Sequence, residues 1–397
     1  MDFKQKSLRD QVVVVFGASS GIGRVTALQF AKRGAYVVVS ARSEEGLSSL
    51  VGEIAAGGGQ AFKFPADASQ FDQVRALAAA AAERFGRIDT WVQVAGVGIY
   101  APFDRTSPEE YEQIIDVDLL GVMHAAKAAL PYLTGCGAGT FIPVSSVEAV
   151  RPLPFHSAYA AAKHGVHGFV QALRLELEHE RMPVRITEIQ PASINTPFFS
   201  DAKTKIGVKP MGLPPIYPPE MVAEAIIHAA TNADGNEVIV GGAGKAMAAG
   251  QRLSPRLMDK MIGVIGFKGQ KTPQPKPESA PNNLFQPVRN DRVKGDLNGL
   301  EKASTVFQWV CLGSTLAAAA YYGAPKVRQG YQKYKSDHND AASGVGGPAS
   351  RSSENTVTAS PSTTVTQSAV TPRPEVTVSE TRTFDVPVNL HPVERAA

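Results

Sequence analysis

The chain has 397 residues, 43% of them hydrophobic, enough for one large globular domain with appendages or for two domains. A formal net charge of +3 gives no electrostatic case for nucleic acid as a partner. Cys136 and Cys311, the two cysteines, make neither a disulfide framework nor a zinc site; no metal-ligand set stands out, and a reducing, cytoplasmic compartment is the expectation.

Residues 1–11 are polar and lack the apolar stretch of a secretory signal. Residues 12–15 are an apolar β-branched run, followed by GASSGIG (17–23) and by residues 24–35 at helical spacing. Residues 36–42 are a second run of buried-strand character, so the opening reads as strand, glycine turn, helix, strand. The alternation continues with strands at 61–69, 89–98, 139–146, 184–194 and 236–242, and with a helix at 71–86. Near-continuous apolar strands separated by helices predict an α/β fold: a Rossmann-type, doubly wound parallel sheet of about seven strands, helices on both faces, ligands beyond the carboxyl ends of the strands. This domain spans residues 1–245. Residues 246–270 form an amphipathic helical segment in which Met247, Leu253, Leu257, Met261 and Ile265 lie on a membrane or close over the site. Residues 271–302 read as a Pro-rich linker. Residues 303–324 form an apolar helix nearly long enough to cross a bilayer, with Phe307 and Trp309 at one end and Tyr321 and Tyr322 at the other. The alternatives for it are a surface helix or one packed on the domain. The Ser/Thr-rich tail, residues 325–397, is too poor in apolar side chains to offset its ordering entropy and reads as disordered.

Gly17, Gly21 and Gly23 allow a tight turn and close approach of a pyrophosphate, and the helix starting near Ile22 offers free N–H groups to anionic oxygens. The spacing is G-x-x-x-G-x-G rather than G-x-G-x-x-G, and a turn without ligand is the alternative. After the second strand, Ala41 stands where an acid would hold the ribose of NAD, and Arg42 offers a planar fork for a 2′-phosphate. NADP(H) is therefore expected over NAD(H), the alternative being that Arg42 is a surface charge. Arg24 either assists or faces solvent. Farther on, Tyr159 and Lys163 sit four apart in SAYAAAKHG (157–165), on one helical face with only methyl groups between them.

The motifs GASSGIG, VQVAGVG, VSS and YAAAK, in this order and spacing over about residues 8–243, resemble the short-chain dehydrogenase/reductase family, in a subgroup with a long C-terminal extension. The resemblance implies a nicotinamide cofactor and hydride transfer between it and a carbonyl or alcohol carbon. It implies that Tyr159 is the acid/base, Lys163 its partner and Ser146 the residue that orients the substrate oxygen. It further implies cofactor contacts from Gly17, Ser19, Ser20, Gly21, Ile22, Gly23, Arg42, Asp67, Ala95, Gly96, Tyr159, Lys163, Pro191, Ile194 and Thr196. Ala192 replaces the usual glycine, Phe16 the usual threonine, and Gln93 and Val94 the two asparagines of the usual Asn-Asn-Ala-Gly. Asp118 stands where the family has asparagine, the fourth member of its catalytic tetrad. A homo-oligomer, through helices around 112–133 and 157–178, is implied as well.

Tyrosine, with a pKa of about 10, is a poor base near neutrality, and a neighbouring ammonium is expected to bring it down. An ionised Asp118 beside Lys163 would cancel part of that field; a protonated one would imitate asparagine. Val97, Ile99, Tyr100, Val147, Phe155, His156, Phe198 and Phe199 are the candidate substrate-pocket residues, which favours a small hydrophobic carbonyl or alcohol. His156 is a polar handle or a bland core histidine, and Glu148 a solvated rim residue. The competing reading, motivated by Asp118, Gln93 and Val94, is a catalytically weakened dinucleotide-binding scaffold or sensor.

Overall fold

The computed structural model describes residues 5–232 and 236–304. Strand β1 (Val12–Phe16) is an unbroken apolar run, and all five of its residues are buried. It therefore faces protein on both sides: Val13 and Val15 pack into one core, Val12, Val14 and Phe16 into the other. The βα alternation continues through α1 (Gly21–Lys32), β2 (Tyr36–Ser40), α2 (Glu44–Ala56), β3 (Gln60–Lys63), α3 (Phe71–Phe85) and β4 (Thr90–Gln93). Next come α4 (Pro108–Ile115), α5 (Gly121–Gly135), β5 (Gly139–Pro143), α6 (Ser157–His179), β6 (Val184–Ile186) and β7 (Glu188–Pro191).

Six strands make a parallel sheet in the order β3-β2-β1-β4-β5-β6. The chain order reverses between β1 and β4, which opens a crevice at their carboxyl ends. Thr187 interrupts the predicted sixth strand, and its second half, β7, pairs in parallel with β8 (Glu237–Val240), the predicted seventh. The fold is the α/β doubly wound sheet that the apolar runs predict. Helix α7 (Pro219–Thr231) lies between β7 and β8 in the chain.

The amphipathic segment is two helices, α8 (Gly242–Leu253) and α9 (Pro255–Gly269), because Ser254 and Pro255 interrupt the run. Met258, Ile262 and Gly266 of α9 face inward, whereas Leu257, Met261, Val264 and Ile265 are exposed. Among the described residues no helix is long and apolar enough to cross a membrane. Residues 305–324, most of the expected apolar helix, and the expected disordered tail lie outside the described residues.

The linker expectation for 271–302 is corrected. Lys271–Pro275 pairs antiparallel with Val208–Pro210, Leu284 is fully buried, and Leu297 is buried too. Composition misled here because the groups that hold this segment, among them Asn195, Asp201 and Lys209, lie far from it in the sequence.

Candidate active site

The crevice is a cavity of about 250 Å³ whose walls combine the ends of β1, β2, β4 and β5 with the start of α6 and the loop after β7. All residues expected at the cofactor line it: Gly17, Ser19, Ser20, Gly21, Ile22, Gly23, Arg42, Asp67, Ala95, Gly96, Tyr159, Lys163, Pro191, Ile194 and Thr196. Ser146 and Asp118 line it as well.

The glycine turn is built for close approach. Gly17 has φ +93°, and a Cβ there would lie 2.5 Å from the Ala95 nitrogen; one on Gly23 would lie 2.1 Å from the Gly17 oxygen. The backbone between β1 and α1 is thus pressed against the β4 loop, and Gly21, Ile22 and Gly23 at the N-terminus of α1 line the cavity. This cradle, beside Asp67 and Arg42, fits a dinucleotide. Arg24 neither assists nor faces solvent: it is buried, paired with Glu53 at 2.7 Å and donating to the Gly46 carbonyl at 3.2 Å. Gln93 and Phe16 are buried at the strand ends, where the Gln93 Oε1 accepts from Trp91 Nε1 at 3.2 Å.

Asp118 enters the site from a π-helical turn, Asp116–Leu120, that joins α4 to α5. The extra residue of such a turn bulges the helix and re-aims the side chain inward. The Asp118 Oδ1 accepts from the Val97 N–H at 2.8 Å, bracing the β4 loop. The Oδ2 lies 3.1 Å from Lys163 Nζ, both side chains being almost wholly buried. Burial pushes the Asp118 carboxyl above the usual carboxylate range, against the opposing pull of Lys163 and of the Val97 N–H.

Tyr159 and Lys163 do face one site, with Nζ 5.3 Å from the phenol ring centroid, and the phenol is hydrogen-bonded with Ser146. The expectation that the tyrosine is brought down is not met in this arrangement. Burial raises it well above its ordinary value, and Asp118 and Glu148 raise it further, while the Ser146 bond opposes them. Burial is the main reason, and Asp118, paired with Lys163 at 3.1 Å, adds its own charge to it.

Glu148 is not a solvated rim residue. It is buried and bonded at 2.8 Å to His156 Nδ1, with the Leu153 N–H at 3.3 Å. The two lie eight residues apart and meet because the chain turns between β5 and α6. The His156 ring stacks edge-on against Tyr100 at 3.9 Å and lies 5.5 Å from Tyr159. Val97, Tyr100, Val147, His156, Phe198 and Phe199 line the cavity. Ile99 instead belongs to the apolar cluster alongside, and Phe155 turns away against Phe267 at 5.2 Å.

Sequence reasoning missed three groups. Asn283, Pro287 and Val288 line the cavity from the segment read as a linker. Asn195 is fully buried and holds that segment. Behind Ser146, the Ser145 hydroxyl donates to Glu188, whose other oxygen bonds His167 at 2.7 Å. Glu237 lies beside that pair, 3.1 Å from the Gln171 amide. An acid in mid-strand was the available signal for the last.

The model of the family "short chain dehydrogenase" matches residues 11–207. The uncharacterized oxidoreductase YxnA of Bacillus subtilis is 38% identical over 274 residues, 68% of this chain and 77% of its own length. The chain belongs to the short-chain dehydrogenase family. Its members, this chain included, are oxidoreductases acting on CH–OH groups with a nicotinamide dinucleotide. A 3beta-hydroxysteroid dehydrogenase 1 of Eggerthella lenta is 37% identical over 227 residues, 55% of this short-chain dehydrogenase and 85% of the relative. A metagenomic short-chain oxidoreductase solved in complex with NADP superposes with a TM-score of 0.50, at 31% identity over 59% of this chain and 98% of that one.

Proposed function

We propose that this chain is an NADP(H)-dependent oxidoreductase of a small hydrophobic carbonyl/alcohol pair, with Tyr159 as acid/base. The observation that carries the reading is the meeting of Ser146, Tyr159 and Lys163 in the cavity that the glycine cradle opens into. The nicotinamide, when bound, supplies or takes up the hydride. In reduction, the Ser146 hydroxyl donates to the carbonyl oxygen and the Tyr159 O–H bond breaks as that oxygen takes the proton. Lys163 stabilises the tyrosinate left behind, and Asp118 sets how much of its charge is available.

Arg42 at the end of β2, with Ala41 in place of an acid, supports NADP(H), as does the related NADP complex. Val97, Tyr100, Val147, Phe198 and Phe199 support an apolar substrate, in keeping with a relative named for a steroid. The exposed apolar face of α9, flanked by Arg256, Lys260 and Lys268, supports contact with a membrane surface. Exposed Leu175 on α6 supports a homo-oligomer through that helix.

The test is NADPH and NADH oxidation against a panel of aromatic and aliphatic ketones. Turnover with NADPH is expected, and Tyr159→Phe should lower it at least ~100-fold while cofactor binding, read by fluorescence, persists. Intact turnover in Tyr159→Phe overturns the assignment. Binding without turnover across the panel supports the second reading, a dinucleotide sensor, which the buried Asp118–Lys163 pair favours.

A further inference from the structure

Asn283, Pro287 and Val288 form part of the cavity wall, and bonds from residues 283–297 fall on groups assigned to the cofactor and on the loop after β7. The Arg292 carbonyl accepts from the Gly21 N–H, the first amide of α1, at 2.9 Å. The Asn283 and Phe285 carbonyls accept from the two Nη atoms of Arg42, at 2.5 and 3.2 Å. Leu284 between them is fully buried among Val97, Ile99, Ile114, Val117 and Ala162. Asn290 donates to Asp201, and the Gly295 and Leu297 N–H groups donate to Asn195. The cavity stays open beneath, since Asn283, Pro287 and Val288 are part of its wall.

We propose that this segment is the outer wall of the dinucleotide site: a strap that positions Arg42 and must lift for the cofactor to enter or leave. The idea rests on the dinucleotide reading of the cavity. A guanidinium carries five N–H donors, so two strap carbonyls orient the fork and leave donors for a phosphate. The apolar anchor and the glycine define how the strap is released. Leu284→Ala removes the buried side chain that seats it. Gly295→Ala acts from the other end, because a methyl group there would lie 2.4 Å from the Thr196 oxygen. Neither residue is part of the Ser146, Tyr159 and Lys163 set, but Tyr159 packs against the apolar cluster that Leu284 joins, so the readout is nucleotide release and not turnover.

The experiment uses the full chain and follows NADPH fluorescence by stopped flow, with hydrogen exchange of the amides at 283–297. A strap seated by Leu284 predicts NADPH release about 30-fold faster in Leu284→Ala, the ratio that the lower end of leucine-truncation costs implies. Gly295→Ala should accelerate release in the same direction. In the wild type, NADPH should slow exchange at 283–297. Release rates unchanged in both variants, with melting temperatures showing them folded, would overturn the proposal. So would NADPH that speeds exchange there, which marks a competitor instead of a wall. Failure of both NADPH and NADH to bind any form overturns the dinucleotide reading itself, and the strap's role with it.

Discussion

Replacing Asp118 by asparagine separates the two jobs that this side chain performs. Asparagine keeps an oxygen for the Val97 N–H, now 2.8 Å from Asp118 Oδ1, and removes the charge that lies 3.1 Å from Lys163 Nζ. At that distance and an effective dielectric of 20, the raw attraction is about 5 kcal/mol, most of it offset by desolvation of both groups. With the counter-charge gone, the ammonium acts on Tyr159. At the 5.3 Å to the ring centroid the raw term is about 3 kcal/mol, and half of it surviving gives roughly tenfold at pH 7. The assay is a pH–rate profile from pH 6 to 10 with NADPH and a responsive ketone, beside thermal melts. Asp118→Asn should move the profile towards neutral pH. The stability sign follows from the raised carboxyl: its contribution is present below the unfolded-chain value and is lost as pH rises through the folded one. Wild type should therefore lose melting temperature relative to the variant as pH rises above the usual carboxylate range. A pH–rate profile that does not move, or a large loss of rate at every pH, refutes the account of Asp118 as a brake on Lys163.

Glu148→Gln should shift the same profile in the same direction by less, since Glu148 follows burial and Asp118 among the causes that raise Tyr159; a shift to alkaline pH would contradict this. Gly17→Ala should cost about 2 kcal/mol or more in urea unfolding and abolish NADPH fluorescence enhancement, because φ +93° and the 2.5 Å approach to Ala95 both exclude a side chain.

The sheet and the cradle were legible because their causes are local and periodic. Four consecutive valines in β1 can be buried only between two layers, and GASSGIG after such a strand has few conformations open to it. Likewise the four-residue spacing of Tyr159 and Lys163 on a helix puts both on one face whatever surrounds them. Tertiary structure alone decided the electrostatics. Residue type says that Asp118 carries an acid, but the π-helical turn and the distance to Lys163 decide that the acid takes the ammonium's charge. The Glu148–His156 pair and the seating of residues 283–297 are of the same kind. Each depends on how the chain turns back on itself, and in the seating of 283–297 many of the contacts are made by backbone carbonyls and amides, which leave no signature in the order of the side chains.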